Sequence, residues 1–256
     1  MVKRFAVLIV AVLCLGIGNA GIAAADRSLP PVDVDLDYQL GGASEPADNV
    51  GIVARDRRAR PAAGAWNICY VNGFQTQPDE KVLWRKHPRL ILRRQGRPVV
   101  DSAWGEQLLD IRTPAKRRAL ARIVGRWIDG CARRGFDAVE FDNLDSFSRS
   151  RGLIAPRQAK RFARMLVTRA HRVGLSVGQK NWSEFDGRKV GFDFAVSEQC
   201  GRYDECGAYV RHYGRAVLVI EYRRRDFERS CAAYGDRLAI VLRDRALAAD
   251  GRRAWC

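Results

Sequence analysis

Asp142, Asn143 and Asp145 stand at the end of a short apolar run, Phe136 to Phe141, and Glu198 with Gln199 closes a second run, Phe192 to Val196, in the same way. Carboxylates at the exits of buried strands are well placed for chemistry, because the strand holds the side chain rigidly while the loop beyond leaves room for a ligand. Two carboxyl groups flanking one bond are what glycoside hydrolysis requires, about 5 to 5.5 Å apart for retention of configuration and about 6.5 to 9.5 Å for inversion. Each residue also has an everyday alternative. Asp145 sits where a helix cap or Asx turn is common, and Glu198 has many arginines with which to form a simple ion pair.

Other chemistries lack their residues. His87, His171 and His212 are scattered without metal-ligand spacing, there is no Cys-x-x-Cys pair, and no Gly-rich nucleotide-binding motif follows an early strand. The expectation is a site with no metal and no cofactor, working through carboxylates, amides and aromatics. Among the tryptophans, Trp104 and Trp182 lie beside loop motifs and are the two expected to stack on a sugar.

The elements that must position these groups come from the whole chain. Lys3 and Arg4 precede an apolar run from Phe5 to Ile17, followed by Ala23-Ala24-Ala25. That order is a secretory signal peptide, residues 1–25, and the run is too short for the roughly 18 to 20 residues of a membrane span. Residues 26–256 are then a secreted, extracellular domain without a membrane anchor. Export accounts for its six remaining cysteines, Cys69, Cys131, Cys200, Cys206, Cys231 and Cys256, as a disulfide framework. Cys200 with Cys206 and Cys231 with Cys256 would close the most local loops, but sequence leaves the pairing open. The chain carries 45 Lys plus Arg against 29 Asp plus Glu, a balance of +16. Arginine is dispersed rather than clustered, which reads as a solvated surface and disfavours nucleic acid as a partner.

Thr113 and Pro114 open a helix whose Leu120, Ile123, Val124, Trp127, Ile128 and Cys131 recur at helical spacing until Gly135, and a second helix runs from near Pro156 to Gly174. Short apolar runs recur between such segments: Val50–Ala54, Trp66–Val71, Leu108–Ile111, Phe136–Phe141, Leu175–Gly178, Phe192–Val196, Val217–Ile220 and Leu238–Leu242. These eight read as strands, with Asp35 to Leu40 as an extra one. Strands alternating with helix-compatible segments indicate βαβ units, and eight of them an α/β fold of the (β/α)8 TIM-barrel type in a single domain. All strand exits would meet at one mouth. Asp142, Asn143, Asp145, Lys180, Asn181, Glu198, Glu221 and Tyr222 would ring it.

At these residues the chain resembles glycoside hydrolase family 114, the endo-α-1,4-polygalactosaminidase-like barrels. The resemblance rests on Asp37-Tyr38-Gln39-Leu40, Trp104-Gly105-Glu106, Gly135 through Asp145, Gly174 through Asn181, Phe192 through Cys200, and Tyr203 through Cys206. It implies an extracellular barrel that cleaves α-1,4-linked galactosamine polysaccharide without a metal, with Asp142 as nucleophile and Glu198 as general acid/base. Tyr38, Gln39, Asp145, Lys180 and Asn181 are implied substrate-binding or supporting groups. Phe141 and Gln179 depart from the proline and leucine usual in the family. A strongly basic protein repels a cationic polymer at long range, so either acids in the cleft draw a deacetylated chain in or the polymer is acetylated, neutral or acidic. Two other readings stand beside this one: an inactive barrel holding an anionic wall polymer or nucleic acid on its basic surface, and a hydrolase of another α-linked glycan.

Overall fold

The computed structural model describes residues 27–256, so the proposed signal peptide lies outside the described residues. Eight parallel strands form the body: β1 (Asp35–Gln39), β2 (Val50–Asp56), β3 (Trp66–Asn72), β4 (Ala138–Asp142), β5 (Ser176–Lys180), β6 (Phe194–Glu198), β7 (Val217–Glu221) and β8 (Ala239–Arg243). Each pairs with the next in parallel, and β8 returns beside β1 to close a barrel. The seam is filled from the C-terminus. A ninth strand, β9 (Arg253–Trp255), runs antiparallel to β8, and the Trp255 indole donates to the Leu36 carbonyl at 2.8 Å.

The strand count of eight is right but its membership differs from the sequence reading. Asp35–Gln39 is a full barrel strand, whereas Leu108–Ile111 makes only two isolated antiparallel bridges, through Leu108 to Gln75 and Leu109 to Ile91. Its leucines are buried because they pack under a long excursion between β3 and the first helix, not because they belong to the sheet. Burial alone does not tell a strand from a well-packed loop.

Alternation along the strands separates two cores. Leu36, Tyr38, Ile52, Phe194, Val196 and Ile220 fill the barrel interior, while Val139, Phe141, Val177, Val217 and Val219 face the helices. Glycine is required inside at one point: a Cβ on Gly178 would sit 2.7 Å from the Phe194 ring. The longer helices are α1 (Pro114–Arg133), α2 (Pro156–Arg172), α3 (Cys206–Tyr213) and α4 (Arg224–Tyr234), beside two single turns at Lys81–Arg85 and Cys200–Tyr203. Thr113 caps α1 as expected, accepting from the Lys116 amide at 3.2 Å. These helices follow β3, β4, β6 and β7, so the helical layer is incomplete around the ring. Among the described residues no helix is long and apolar enough to cross a membrane.

Three disulfides tie this frame. Cys69 on β3 joins Cys131 on α1, Cys200 joins Cys206 in the segment after β6, and Cys231 on α4 joins Cys256 beside β9. The last bond holds the closing strand at the seam. Beneath it the outward side chains of β1 are polar: Asp37 binds Arg243 and Arg253, each at 2.8 Å, with Asp37 and Arg243 both fully buried.

Candidate active site

The strands begin about two residues later than the apolar runs and extend through their polar ends, so Asp142, Lys180 and Glu198 are the last residues of β4, β5 and β6. Alternation makes all three point inward. The next residue in each case, Asn143, Asn181 and Gln199, has left-handed backbone with φ of 62°, 51° and 63°. Asparagine tolerates that region better than most side chains. The repeated turn swings the chain away from the mouth and leaves the preceding side chain projecting into it.

Lys180 is the centre. Its ammonium lies 3.6 Å from Asp142 Oδ1, 3.4 Å from Glu198 Oε2 and 3.9 Å from Glu140 Oε2, and donates to the Tyr38 hydroxyl at 2.6 Å. Burial works against its charge, but Asp142, Glu140 and Glu198 together hold it well above the usual lysine range. Because one nitrogen touches both carboxylates, Asp142 and Glu198 approach within about 7 Å, inside the span used by glycosidases. Tyr70 donates to Asp142 Oδ2 at 2.7 Å and the Asn143 amide to Oδ1 at 2.8 Å. Tyr222 donates to Glu198 Oε1, and Asn181 Oδ1 accepts from the Glu198 amide at 2.9 Å. Burial, then the neighbouring carboxylates, pushes the Tyr38, Tyr70 and Tyr222 phenols up, so each keeps its proton and serves these oxygens as a donor.

Two further carboxyl groups were not singled out in the sequence. Glu140 lies one inward step below Asp142, fully buried, and accepts from Tyr38 at 2.5 Å. Burial pushes it up to about 7 against the pull of Lys180 and Tyr38. Alternation with Asp142 is the signal that would have found it. Glu106 comes from the β3–α1 excursion: Asn72 and Asn143 donate to its Oε2 at 2.9 Å and 3.3 Å. It too is pushed up to about 7, first by burial and then by Asp142 and Asp101, against Asn72 and Arg149. Nothing periodic marks it.

These groups open into a cleft of about 860 Å³ lined by eight carboxylates and three basic side chains, Arg149, Lys180 and Arg245. Asp142, Asn143, Asp145, Lys180, Asn181, Glu198, Tyr222 and Trp104 all line it. Tyr38 sits just beneath. Asp145 pairs with Arg149 at 2.9 Å and makes no side-chain cap. Trp104 is well exposed on the rim, as is Tyr203, a cleft aromatic outside the nominated set.

Two nominated residues lie elsewhere. Glu221 is the last residue of β7, but its inward neighbours are Leu218 and Ile220, so it faces the helices and accepts from the Gly201 amide at 2.7 Å. Gln39 is on the outer face of β1, bonded to Asp37, Arg55 and the Ser44 amide. Both are corrections: a polar residue at a strand exit reaches the mouth only when its register points it inward. Gln179, one of the family departures, also faces outward. Its amide donates to the carbonyls of Asn181, Trp182 and Phe185, fixing the loop that shapes this side of the cleft.

The buried acids set a pH dependence. Glu106, Glu140, Glu205 and Glu221 are all raised by burial, so the folded chain holds their protons more tightly than the unfolded one. Their contribution is full below the ordinary glutamate range and is lost as pH rises through their folded values. The denaturant midpoint should therefore be higher at pH 5.5 than at pH 8. A midpoint that rises with pH over this window would mean that these acids are ionised and compensated in the fold.

The Glyco_hydro_114 model, described as glycoside-hydrolase family GH114, matches residues 18–256. Ega3 of Aspergillus fumigatus, solved in complex with galactosamine, is similar at 20% identity and TM-score 0.72, over 91% of this chain and 98% of that one. The glycoside hydrolase domain of PelA from Pseudomonas aeruginosa is similar at 16% identity and TM-score 0.61, over 85% and 97%. Both are likenesses of fold. No curated protein matches the chain.

Proposed function

The chain belongs to glycoside-hydrolase family GH114, and we propose that it is an exported hydrolase that cuts α-1,4-linked galactosamine polysaccharide within the chain by a two-carboxylate mechanism. The observation that carries this reading is the pairing of Asp142 and Glu198 across one buried ammonium at the floor of an open, acid-lined cleft. Asp142, oriented by Tyr70, the Asn143 amide and Lys180, is the nucleophile. Glu198, steered by Tyr222 and by the Asn181 clamp on its backbone, delivers a proton to the leaving oxygen and then activates water. Lys180 balances the two carboxylates in the resting site. Tyr38 and Glu140 fix the ammonium from below.

The cleft also answers the charge question. The protein as a whole is strongly basic, yet eight carboxylates against three basic groups make its mouth acidic. A field of that sign inside low-dielectric walls draws cations, which favours a deacetylated, cationic galactosamine chain over an anionic one. The galactosamine in the Ega3 complex is consistent with this. Trp104 and Tyr203, both exposed and both lining the cleft, offer apolar platforms to a chain lying across the site, which suits endo cleavage. Three disulfides support export into an oxidising compartment.

The test is reducing-end release by the purified protein from α-1,4-galactosamine polymers at several degrees of acetylation. Release is expected to rise as acetylation falls, with products several sugars long from the first minutes. Inertness toward every member of the series would overturn the substrate assignment.

A further inference from the structure

We propose that Glu106 recognises the amino group of the sugar seated against Asp142, and so sets a preference for deacetylated galactosamine. The inference rests on the hydrolase reading above and assigns its specificity to one residue. Five of the other seven acids of the cleft are committed elsewhere, and the remaining two, Glu184 and Glu205, stand near each other on the loops after β5 and β6. Asp142 and Glu198 share Lys180, Asp101 and Asp145 share Arg149, and Asp56 binds Arg58. Among the described residues Glu106 makes no ion pair. Its Oε2 is pinned by the Asn72 and Asn143 amides, while no donor among the described residues reaches Oε1 and the side chain lines the cleft.

The pinning also fixes where Oε1 stands. Asn143 gives its backbone N–H to Asp142 Oδ1 and its side-chain amide to Glu106 Oε2, so one residue sets the two carboxyl groups side by side. A sugar whose anomeric carbon meets Asp142 carries its amino group on the adjacent carbon, within reach of a neighbouring acceptor. An N-acetyl group there offers an amide and a methyl instead of an ammonium. It would leave Glu106 without its charge partner.

The charges facing Glu106 are Asp142 at the end of β4, Asp101 across its own hairpin and Arg149 from the segment after Asp145. Burial and the two aspartates keep its proton on near neutral pH, and an arriving ammonium favours the ionised form, the proton passing to solvent. Recognition is then sharper at pH 7.5 than at pH 6.

The experiment measures kcat/KM on fully deacetylated and fully N-acetylated α-1,4-galactosamine oligomers, with wild type, Glu106→Gln and Glu106→Asp. Glu106→Gln should lower the deacetylated-to-acetylated ratio by about 10-fold or more at pH 7.5, by less at pH 6, and Glu106→Asp should restore part of it. Binding of galactosamine against N-acetylgalactosamine, followed by calorimetry, should lose the same discrimination. An active wild type whose Glu106→Gln variant keeps the wild-type ratio overturns the inference alone. A wild type inert on both oligomers overturns the hydrolase reading and this inference with it. Should Glu106→Gln not fold, the wild-type ratio between pH 6 and pH 7.5 decides, since a flat ratio also overturns it.

Discussion

Asp142→Asn and Glu198→Gln are each expected to lower kcat on the galactosamine polymer by roughly 10³-fold or more, with folding intact, and the double variant should be little worse than the weaker single one. Both residues lie at strand ends and keep some exposure, 19% and 24% for the side chains, so an isosteric amide replaces each without opening a cavity. What is lost is chemistry. In the proposed mechanism Asp142→Asn removes the attacking oxygen, and no partner of Asp142 can replace it: Tyr70 donates to it and Lys180 faces it as a cation at 3.6 Å. Glu198→Gln removes the proton that the leaving oxygen needs. The two losses separate with an activated substrate. An aryl galactosaminide with a good leaving group needs little protonation, so Glu198→Gln should recover much of its first step while Asp142→Asn recovers none. Proton NMR of the first product fixes the stereochemistry, retained if Asp142 attacks directly. Full turnover in the folded Asp142→Asn variant would remove Asp142 from the reaction and make Glu106 the next carboxylate to examine.

The reach of the sequence is clearest residue by residue. Asp142, Lys180 and Glu198 were legible because they terminate three apolar runs, and a barrel gathers such ends at one face. Glu221 ends a fourth run in the same way and yet faces the helices, since run boundaries place a residue along the strand but not on one of its two faces. Gln39 failed for the same reason. The interior residues of β7, Leu218 and Ile220, are as apolar as the outward Val217 and Val219, so a strand buried on both faces hides its own register. Glu140 was hidden by the opposite effect. It sits in the middle of an apolar run, where its neighbours advertise a core strand rather than a site.

Glu106 and Tyr203 belong to loops whose course no periodicity foretells. The excursion between β3 and α1 is long, and its small hairpin brings Asp101, Trp104 and Glu106 over the barrel mouth through bonds to Asn72, Asn143 and Arg149. Those partners are far apart in sequence. The same excursion explains the misplaced strand, because Leu108 and Leu109 are apolar for the sake of packing this loop. The fold and the facing carboxylates Asp142 and Glu198 thus follow from patterns local to the barrel, whereas the rest of the cleft wall depends on contacts between distant segments.

Lys180→Met carries the largest expected effect on stability. Breaking a buried charge cluster by removing one partner costs about 3 to 5 kcal/mol, because the remaining charges are left uncompensated. Here three carboxylates, Asp142, Glu140 and Glu198, would lose their common cation, and Tyr38 would lose its donor. The raised Lys180 charge is present at every pH below the ordinary lysine range, so across pH 5 to 8 its own contribution in the wild type is constant. Any pH dependence of the difference between wild type and variant therefore belongs to the carboxylates. Without the ammonium Glu140 loses the attraction that opposes its burial and holds its proton more tightly, so the variant should regain stability as pH falls. Denaturant unfolding at pH 8 is expected to show the full loss, and at pH 5.5 a clearly smaller one. Turnover should fall by roughly 10²-fold even in the folded fraction, as it does when a preorganised charge is removed from an active site. A Lys180→Met protein as stable as wild type at pH 8 would mean that the three carboxylates do not depend on its ammonium for their place in the fold.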